Sequence, residues 1–183
     1  MKSVAVVAAG AITSLGNLDE TWSGLMEGRS ALACLKSDDS LSKWPVGLIE
    51  SLEGEPGTAK RLQSLIKLLL VDSPLIPDNT TLILAITKGA PDEFLAGSAG
   101  PRPGQPCDTA GYIAKELGLK GPVNTISAAC ASGTIAVIQG VHRIISGNAK
   151  TVVVIGIDIL SRFVLAGFAS LMALSSQPYR YPP

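Results

Sequence analysis

Short apolar runs alternate with longer amphipathic stretches along this chain, and the two patterns predict strands and helices. Four runs are rich in Val, Ile and Leu and lack polar alternation, which is typical of strands buried on both faces of a parallel sheet. These predicted strands are Ser3–Ala8, Thr81–Ile86, Val123–Ile126 and Thr151–Ile157.

Longer segments carry apolar residues at helical spacing and have recognisable ends. The first is opened by Asn17 or Asp19 as a cap and closed by Gly28. In another, leucine and isoleucine recur at three- and four-residue intervals on one helical face. The predicted helices are Leu18–Glu27, Thr58–Val71, Asp108–Leu117, Ala131–Ser146 and Val164–Ala173.

This order of elements predicts an α/β fold, in which a mainly parallel sheet has helices on both faces. Lys36–Gly57 and Gly89–Cys107 hold most of the Gly, Pro, Ser and Asp, and we interpret them as surface loops. A chain of 183 residues is long enough for one domain, 1–183, with a sizeable core.

The predicted helix Ala131–Ser146 has apolar groups on nearly every face. A helix that is apolar all round is typically buried in the centre of a protein rather than on its surface. We therefore expect this helix to be covered on both sides.

Charge and composition narrow the function classes. Charged residues make up only 16% of the chain, and 15 basic residues balance 15 acidic ones. This balance leaves no excess of positive charge that would favour binding to nucleic acid or an anionic membrane. No apolar stretch approaches the roughly 20 residues that span a bilayer. The low charge favours a chain that hides part of its surface against a partner, although a compact α/β core also fits.

The three cysteines, Cys34, Cys107 and Cys130, have no pairing or metal-type spacing. They favour a reducing, cytoplasmic location over a secreted disulfide framework. With a single histidine, His142, the chain offers no ordinary zinc site. The opening residues 1–11 fit either a signal peptide or a first strand.

Cys130 is the candidate nucleophile. It lies in the sequence AACASG (128–133), between a predicted strand and a predicted helix. The amino end of a helix favours thiolate over thiol, and small neighbours let a substrate carbonyl approach. The alternative is a buried, inert cysteine. The flanks Ala128 and Ser132 match a G-x-nucleophile-x-G elbow poorly.

Other candidates have weaker signals. His142 lies twelve residues after Cys130 on the same predicted helix, about 18 Å along its axis, and cannot reach the sulfur. Cys34 and Cys107 lack a partner base and are best interpreted as inert. Asp158 follows a strand, where it could be functional or could hold a turn or cap the next segment. The spacing of Gly10 and Gly16 matches neither common phosphate-binding loop.

Three ordered segments together carry a family resemblance. They are VVAAGAITSLGN (6–17), GPVNTISAACASG (121–133) and GFASLMALS (167–175). The first is followed by further matching positions, namely Thr21, Trp22, Leu25 and Gly28 to Ser30. The chain resembles the N-terminal half of the β-ketoacyl-acyl carrier protein synthases, condensing enzymes of the thiolase superfamily. The match makes a first β-strand a better interpretation of residues 3–8 than a signal peptide.

The resemblance implies one α/β half of the layered α/β/α/β/α thiolase-like fold. It implies that Cys130 accepts an acyl group from an acyl carrier protein or coenzyme A thioester. Decarboxylative condensation with a malonyl thioester follows, with the backbone N–H of Cys130 as one oxyanion-hole donor. The family needs no metal or dissociable cofactor. Its members pair through the strand that corresponds to Thr151–Ile157, which implies a homodimer or a partner chain.

The family's two catalytic histidines and its lysine lie in a second half that this sequence does not match. We therefore expect no condensation by the chain alone. Three explanations stay open: a fragment, a natural half-protein that pairs with another chain, and a non-catalytic subunit, like a chain length factor, that binds a partner or an acyl group. Such non-catalytic relatives usually lack the cysteine, so Cys130 counts against the last.

Overall fold

The elements of the fold follow one another as the alternation predicts. The computed structural model describes residues 3–35, 42–71, 73–96 and 104–175. In chain order the elements are α1 (Leu18–Met26), β1 (Leu32–Cys34), β2 (Pro45–Gly47), α2 (Ala59–Leu70), β3 (Thr81–Ala85), α3 (Pro91–Leu95), α4 (Pro106–Glu116), β4 (Val123–Ile126), α5 (Ser132–Ile145), β5 (Val152–Gly156) and α6 (Arg162–Ser170).

A parallel sheet with the strand order β4-β3-β5 forms the centre of the fold. Leu82 pairs with Val123 on one side and with Val153 on the other. Every residue of β3 is buried, because neighbouring strands cover both its edges and helices cover both its faces. This arrangement confirms the predicted α/β class and three of the four predicted strands.

Alternate residues of β3 point into two separate cores, as strand geometry requires. Leu82 and Leu84 belong to the larger core, which α2 and α4 complete. Ile83 and Ala85 belong to the smaller core under α5. There Gly140 lets α5 approach β5 closely, since a β-carbon at this position would lie 3.3 Å from a methyl group of Val152.

The helix ends explain why the sequence predicts these helices well. Asn17 and Glu20 form a reciprocal capping box at the start of α1, and Gly28 follows its end at φ +68°. Thr58 caps α2 and Ser161 caps α6 through side-chain hydrogen bonds. α4 begins at Pro106, two residues earlier than predicted, because proline is favoured in the first helical turn. None of the described helices is both long and apolar enough to cross a membrane.

The predicted strand Ser3–Ala8 is wrong. The described residues before Thr13 form no regular element, and Val6 and Val7 are 86% and 90% exposed. A strand needs a backbone partner as well as an apolar sequence. The two edges of β3 are taken by β4 and β5, and no described strand pairs with this segment.

Two predicted loops contain short elements. Within Lys36–Gly57, β2 pairs with β1 as an antiparallel hairpin, and α3 lies within Gly89–Cys107. Elements of three and five residues are too short to show a period in the sequence. Residues 36–41 and 97–103 of these predicted loops lie outside the described residues.

The helix after Cys130 is predicted to be covered on both sides, and the described chain covers one of them. Only Ser132, Ala136 and Gly140 of α5 are buried, all on the side that packs on β3 and β5. Val137 and Ile138, by contrast, are 52% and 61% exposed. The described part of the chain thus covers one side of this apolar helix and leaves the other open.

Candidate active site

The turn between β4 and α5 presents Cys130 at the carboxyl edge of the sheet. β4 ends at Ile126 and α5 begins at Ser132, so five residues reverse the chain direction and carry the cysteine between them. The Cys130 thiol is free and exposed. The alternative of a buried cysteine is therefore wrong for the described chain, while the nucleophilic role stays a prediction.

Backbone strain marks this turn. Ala129, directly before the cysteine, has φ +49°, in the left-handed region that residues with a β-carbon rarely enter. Such a conformation costs roughly 1–2 kcal/mol. It persists only where the surroundings fix it, and such residues cluster at active sites.

Ser132 fixes the turn from within. Its hydroxyl accepts a hydrogen bond from the Ala128 amide at 2.8 Å and donates one to the Ala129 carbonyl at 2.7 Å. Ser132 itself is buried, and the two hydrogen bonds are partly buried. Sequence reasoning treated Ser132 only as a poor match to an elbow motif. The signal that it missed is a hydroxyl two residues after a candidate nucleophile.

The backbone amides around the start of α5 add to the geometry of the turn. Among the residues that the structure describes, the Cys130 and Gly133 amides have no hydrogen-bond acceptor, as is usual at the start of a helix. The amino end of the fourteen-residue α5 carries partial positive charge. This arrangement can stabilise negative charge that develops on a carbonyl oxygen bound at the sulfur.

A polar network joins the three strand ends at this edge. Asp158 follows β5, and its Oδ1 accepts hydrogen bonds from the Thr87 hydroxyl at 2.6 Å and the Thr87 amide at 3.3 Å. Ser127 follows β4 and donates to the Thr87 carbonyl at 3.0 Å. Asp158 thus holds a neighbouring strand end rather than its own turn or the next helix. Sequence reasoning missed Thr87 and Ser127, although each closely follows a predicted strand.

The other candidates lie away from this turn. His142 is exposed on α5, nearly three turns beyond Ser132. The Cys34 sulfur lies 3.6 Å from the Lys43 carbonyl, and the Cys107 sulfur 3.9 Å from an Asp108 carboxylate oxygen. No cluster of His, Cys, Asp and Glu in the described ranges could hold a metal ion.

A broad groove of about 1110 Å³ lies elsewhere, between the segment 13–16, the β1–β2 hairpin and the start of α6. Arg61 lines it, and the guanidinium group donates to the carbonyls of Ile49, Leu52 and Gly54. Burial lowers the pKa of this arginine. Its donors tie a loop to α2, and Cys130 does not line the groove.

The sequence matches a family model. Residues 84–181, just over half of the chain, match the model described as the N-terminal domain of β-ketoacyl synthase. The matched stretch runs from β3 through the Cys130 turn and beyond α6. It therefore contains all of the strand-end network as well as the candidate nucleophile.

Individual relatives agree with this match. A β-ketoacyl-[acyl-carrier-protein] synthase III from Rhodopirellula baltica is 30% identical over 73% of this chain and 36% of its own length. A 3-oxoacyl-[acyl-carrier-protein] synthase 2 from Synechocystis sp. is 27% identical over 95% of this chain and 50% of its own length. The chain thus spans a third to a half of these relatives.

A solved structure shares the fold. A ketosynthase from Xenorhabdus doucetiae, determined in complex with its chain length factor, superposes with a TM-score of 0.69 at 21% identity. The similarity covers 93% of this chain and 50% of that one. The fold of the described chain is accordingly one α/β half of the thiolase-like ketosynthase architecture.

Proposed function

The chain belongs to the β-ketoacyl synthase family, and from this membership we propose that Cys130 is a nucleophile that accepts an acyl group from a carrier thioester. The observation that carries the proposal is the geometry of the Cys130 turn. A free, exposed thiol follows a strained alanine and precedes a long helix with unengaged amides. Each of these features serves acyl transfer, and an inert cysteine needs none of them.

The first step is transfer of the acyl group. The Cys130 thiolate attacks the thioester carbonyl carbon and forms a tetrahedral oxyanion. The carrier's carbon–sulfur bond then breaks, and the carrier thiolate leaves and takes up a proton. We assign the Cys130 amide as a donor to this oxyanion, and the amino end of α5 favours the same charge. The acyl group remains on Cys130 as a thioester.

The second step is decarboxylative condensation. A malonyl thioester loses carbon dioxide, and the resulting carbanion attacks the acyl-Cys130 carbonyl. The carbon–sulfur bond to Cys130 breaks, which frees the thiolate and releases a β-ketoacyl thioester. The chain has one histidine, and it lies on the exposed part of α5. We therefore assign stabilisation of the carbanion to groups beyond the described residues.

We assign the substrates and partners from the same family membership. The acyl donors are acyl carrier protein or coenzyme A thioesters, and neither step needs a metal or dissociable cofactor. A second copy or a partner chain covers the exposed apolar face of α5. Three unpaired thiols fit a reducing compartment such as the cytoplasm.

A second candidate function is a non-catalytic subunit, and the exposed apolar surface favours it. α5 and α6 expose large hydrophobic side chains that a partner could cover, namely Val137, Ile138, Val141, Ile145, Phe163 and Phe168. In the Xenorhabdus structure a ketosynthase binds its chain length factor. If this chain has that kind of role, it binds a partner without acylating Cys130.

Intact mass spectrometry of the purified chain separates the two functions. On incubation with acetyl- or hexanoyl-coenzyme A, we expect a mass increase of one acyl group in the native chain and none in Cys130→Ala. Cys107→Ala serves as the matched control, since it removes an exposed thiol near the start of another helix. It should acylate like the native chain.

Malonyl-coenzyme A then tests the second step. We expect the acylated chain alone to release no carbon dioxide above background, because the loss of one oxyanion donor alone costs about 10²–10³ in rate. Rapid condensation by the chain alone would refute the assignment of carbanion stabilisation to other groups. Failure of Cys130 to acylate, in a chain shown to be folded, would favour the non-catalytic subunit.

A further inference from the structure

The polar network at the carboxyl edge of the sheet connects the Cys130 turn, which follows β4, to the end of β5, two strands away. Asp158 belongs to the end of β5, Thr87 to the end of β3 and Ser127 to the end of β4. Ser127 is also the first residue of the five-residue connection that carries Cys130. Through its hydrogen bonds the network therefore links the end of β5 to the segment that carries Cys130.

The hydrogen bonds form a chain from Asp158 through Thr87 to Ser127. Both the amide and the hydroxyl of Thr87 donate to a single oxygen of Asp158, so the residue is fixed at its backbone and at its side chain. The Thr87 carbonyl is then held in one orientation, and it accepts the Ser127 hydroxyl. A bond to a carboxylate is stronger than one between neutral groups, and the 2.6 Å hydroxyl contact has the length of such a bond.

Backbone pairing between the strands continues up to the network. The Ile86 amide donates to the Ile126 carbonyl, and the Ile157 amide donates to the Ala85 carbonyl. These bonds hold the three strand ends in register up to the residue before Thr87, Ser127 and Asp158. The polar side chains thus continue the fixed geometry of the sheet one residue further, to the beginning of the Cys130 turn.

We propose that Asp158 is a positioning residue for Cys130 and acts through Thr87 and Ser127. Ser132 fixes the turn internally, whereas Asp158 fixes the same turn relative to the sheet. Both restraints are needed because the strained Ala129 conformation relaxes once either end of the connection can move. This inference rests on the proposed acyl transfer, which requires the thiol to be placed closely against a carbonyl and an amide donor.

Conservative and disruptive substitutions separate positioning from mere stability. Asp158→Asn keeps an oxygen that can accept from Thr87, whereas Asp158→Ala removes it. Thr87→Ser keeps the hydroxyl, and Thr87→Val removes it. The matched control is Asp78→Ala, which removes a carboxylate near the opposite, amino end of β3, where Asp78 forms an exposed ion pair with Lys120.

Two measurements test these variants. The first is hydrogen exchange of the Ala128, Ala131 and Ser132 amides, which are bonded within the turn. We expect Asp158→Ala to accelerate their exchange about tenfold and leave the amides of β3 and α4 unchanged. The second is acylation of Cys130 by hexanoyl-coenzyme A. It should fall about tenfold to a hundredfold in Asp158→Ala, as misplaced reacting groups do.

The conservative variants decide whether Asp158 has a positioning role. We expect Asp158→Asn and Thr87→Ser to behave within about threefold of the native chain in both readouts, since they retain the hydrogen bonds. Native-like exchange in Asp158→Ala would overturn the inference, as would equal effects of Asn and Ala or accelerated exchange throughout the sheet. If the native chain itself forms no acyl adduct, the proposed function fails, and hydrogen exchange still tests the positioning role.

Discussion

Ala129 and Ser132 show how single residues build the candidate active site. The positive φ of Ala129 turns the chain sharply enough to place Cys130 outside the sheet, and Ser132 bonds to both sides of the strained residue. A buried amide that loses its acceptor costs about 1–3 kcal/mol. The strain can therefore persist only as long as the hydroxyl is present.

We expect Ser132→Ala to lower the free energy of unfolding by about 1–2 kcal/mol, because it leaves the Ala128 amide unbonded. Urea unfolding followed by circular dichroism measures the change. Ser170→Ala is the control, since the Ser170 hydroxyl also bonds a backbone carbonyl but is exposed, and its loss should cost under about 0.5 kcal/mol. Equal losses in the two variants would show that Ser132 has no special structural role.

The three thiols should differ in reactivity although all are exposed. The sulfurs of Cys34 and Cys107 can donate to nearby oxygens, whereas the Cys130 sulfur has no acceptor among the described residues. Cys130 also precedes the longest described helix. We expect iodoacetamide at neutral pH to label Cys130 first, as followed by peptide mass mapping. Earlier labelling of either other cysteine contradicts this ranking.

At the scale of elements, the short helix α3 anchors two longer ones. Asp92 accepts hydrogen bonds from the Arg162 and Phe163 amides at the start of α6. Glu93 accepts from the Ala59 amide at the start of α2. Carboxylates at these positions also complement the positive ends of both helices. A five-residue element thus fixes where α2 and α6 begin.

Removal of one anchor should weaken the fold measurably. We expect Asp92→Ala to cost about 1–2 kcal/mol of unfolding free energy, because two amides at the start of α6 lose their acceptor. Asp19→Ala is the control, since Asp19 lies in the exposed first turn of α1 without a hydrogen bond to another described side chain or amide. Calorimetric unfolding midpoints compare the two. An unchanged midpoint for Asp92→Ala would mean that α6 does not depend on this cap.

The elements also show how much of the fold and of the site the sequence can predict. β3 and β5 are predictable because each is an apolar run, and α1, α2 and α6 because their caps are local. The strand Ser3–Ala8 is not, since pairing depends on an edge that lies far away in the sequence. The Cys130 turn is predictable from its small residues and position. Its connection to Asp158 is not, because a contact across 71 residues leaves no local pattern.

At the scale of the whole molecule, the main feature is apolar surface that is exposed in the described part of the chain. α5 exposes Val137, Ile138, Val141 and Ile145 along the side opposite the sheet. α1 adds Trp22, Leu25 and Met26, which are 60–70% exposed. Apolar surface of this extent on one helix face is typical of an interaction face.

We expect the chain to associate at micromolar concentration, because burial of this surface stabilises a dimer or a complex. Sedimentation equilibrium measures the mass. Ile138→Asp should shift the chain towards monomer, whereas Gln139→Asp, an acidic substitution at the next exposed position of α5, should not. A native chain that sediments as a monomer at this concentration contradicts the expectation.

The most direct test of the central claim compares the three cysteines in one acylation reaction. The native chain is incubated with hexanoyl-coenzyme A, digested and mapped by mass spectrometry, so that each thiol competes with the other two. Our account predicts that the acyl group accumulates on the peptide of Cys130, with Cys34 and Cys107 near the background of free thiols. An acyl group spread evenly over the three cysteines, or concentrated on Cys34 or Cys107, would contradict the assignment of Cys130 as the nucleophile.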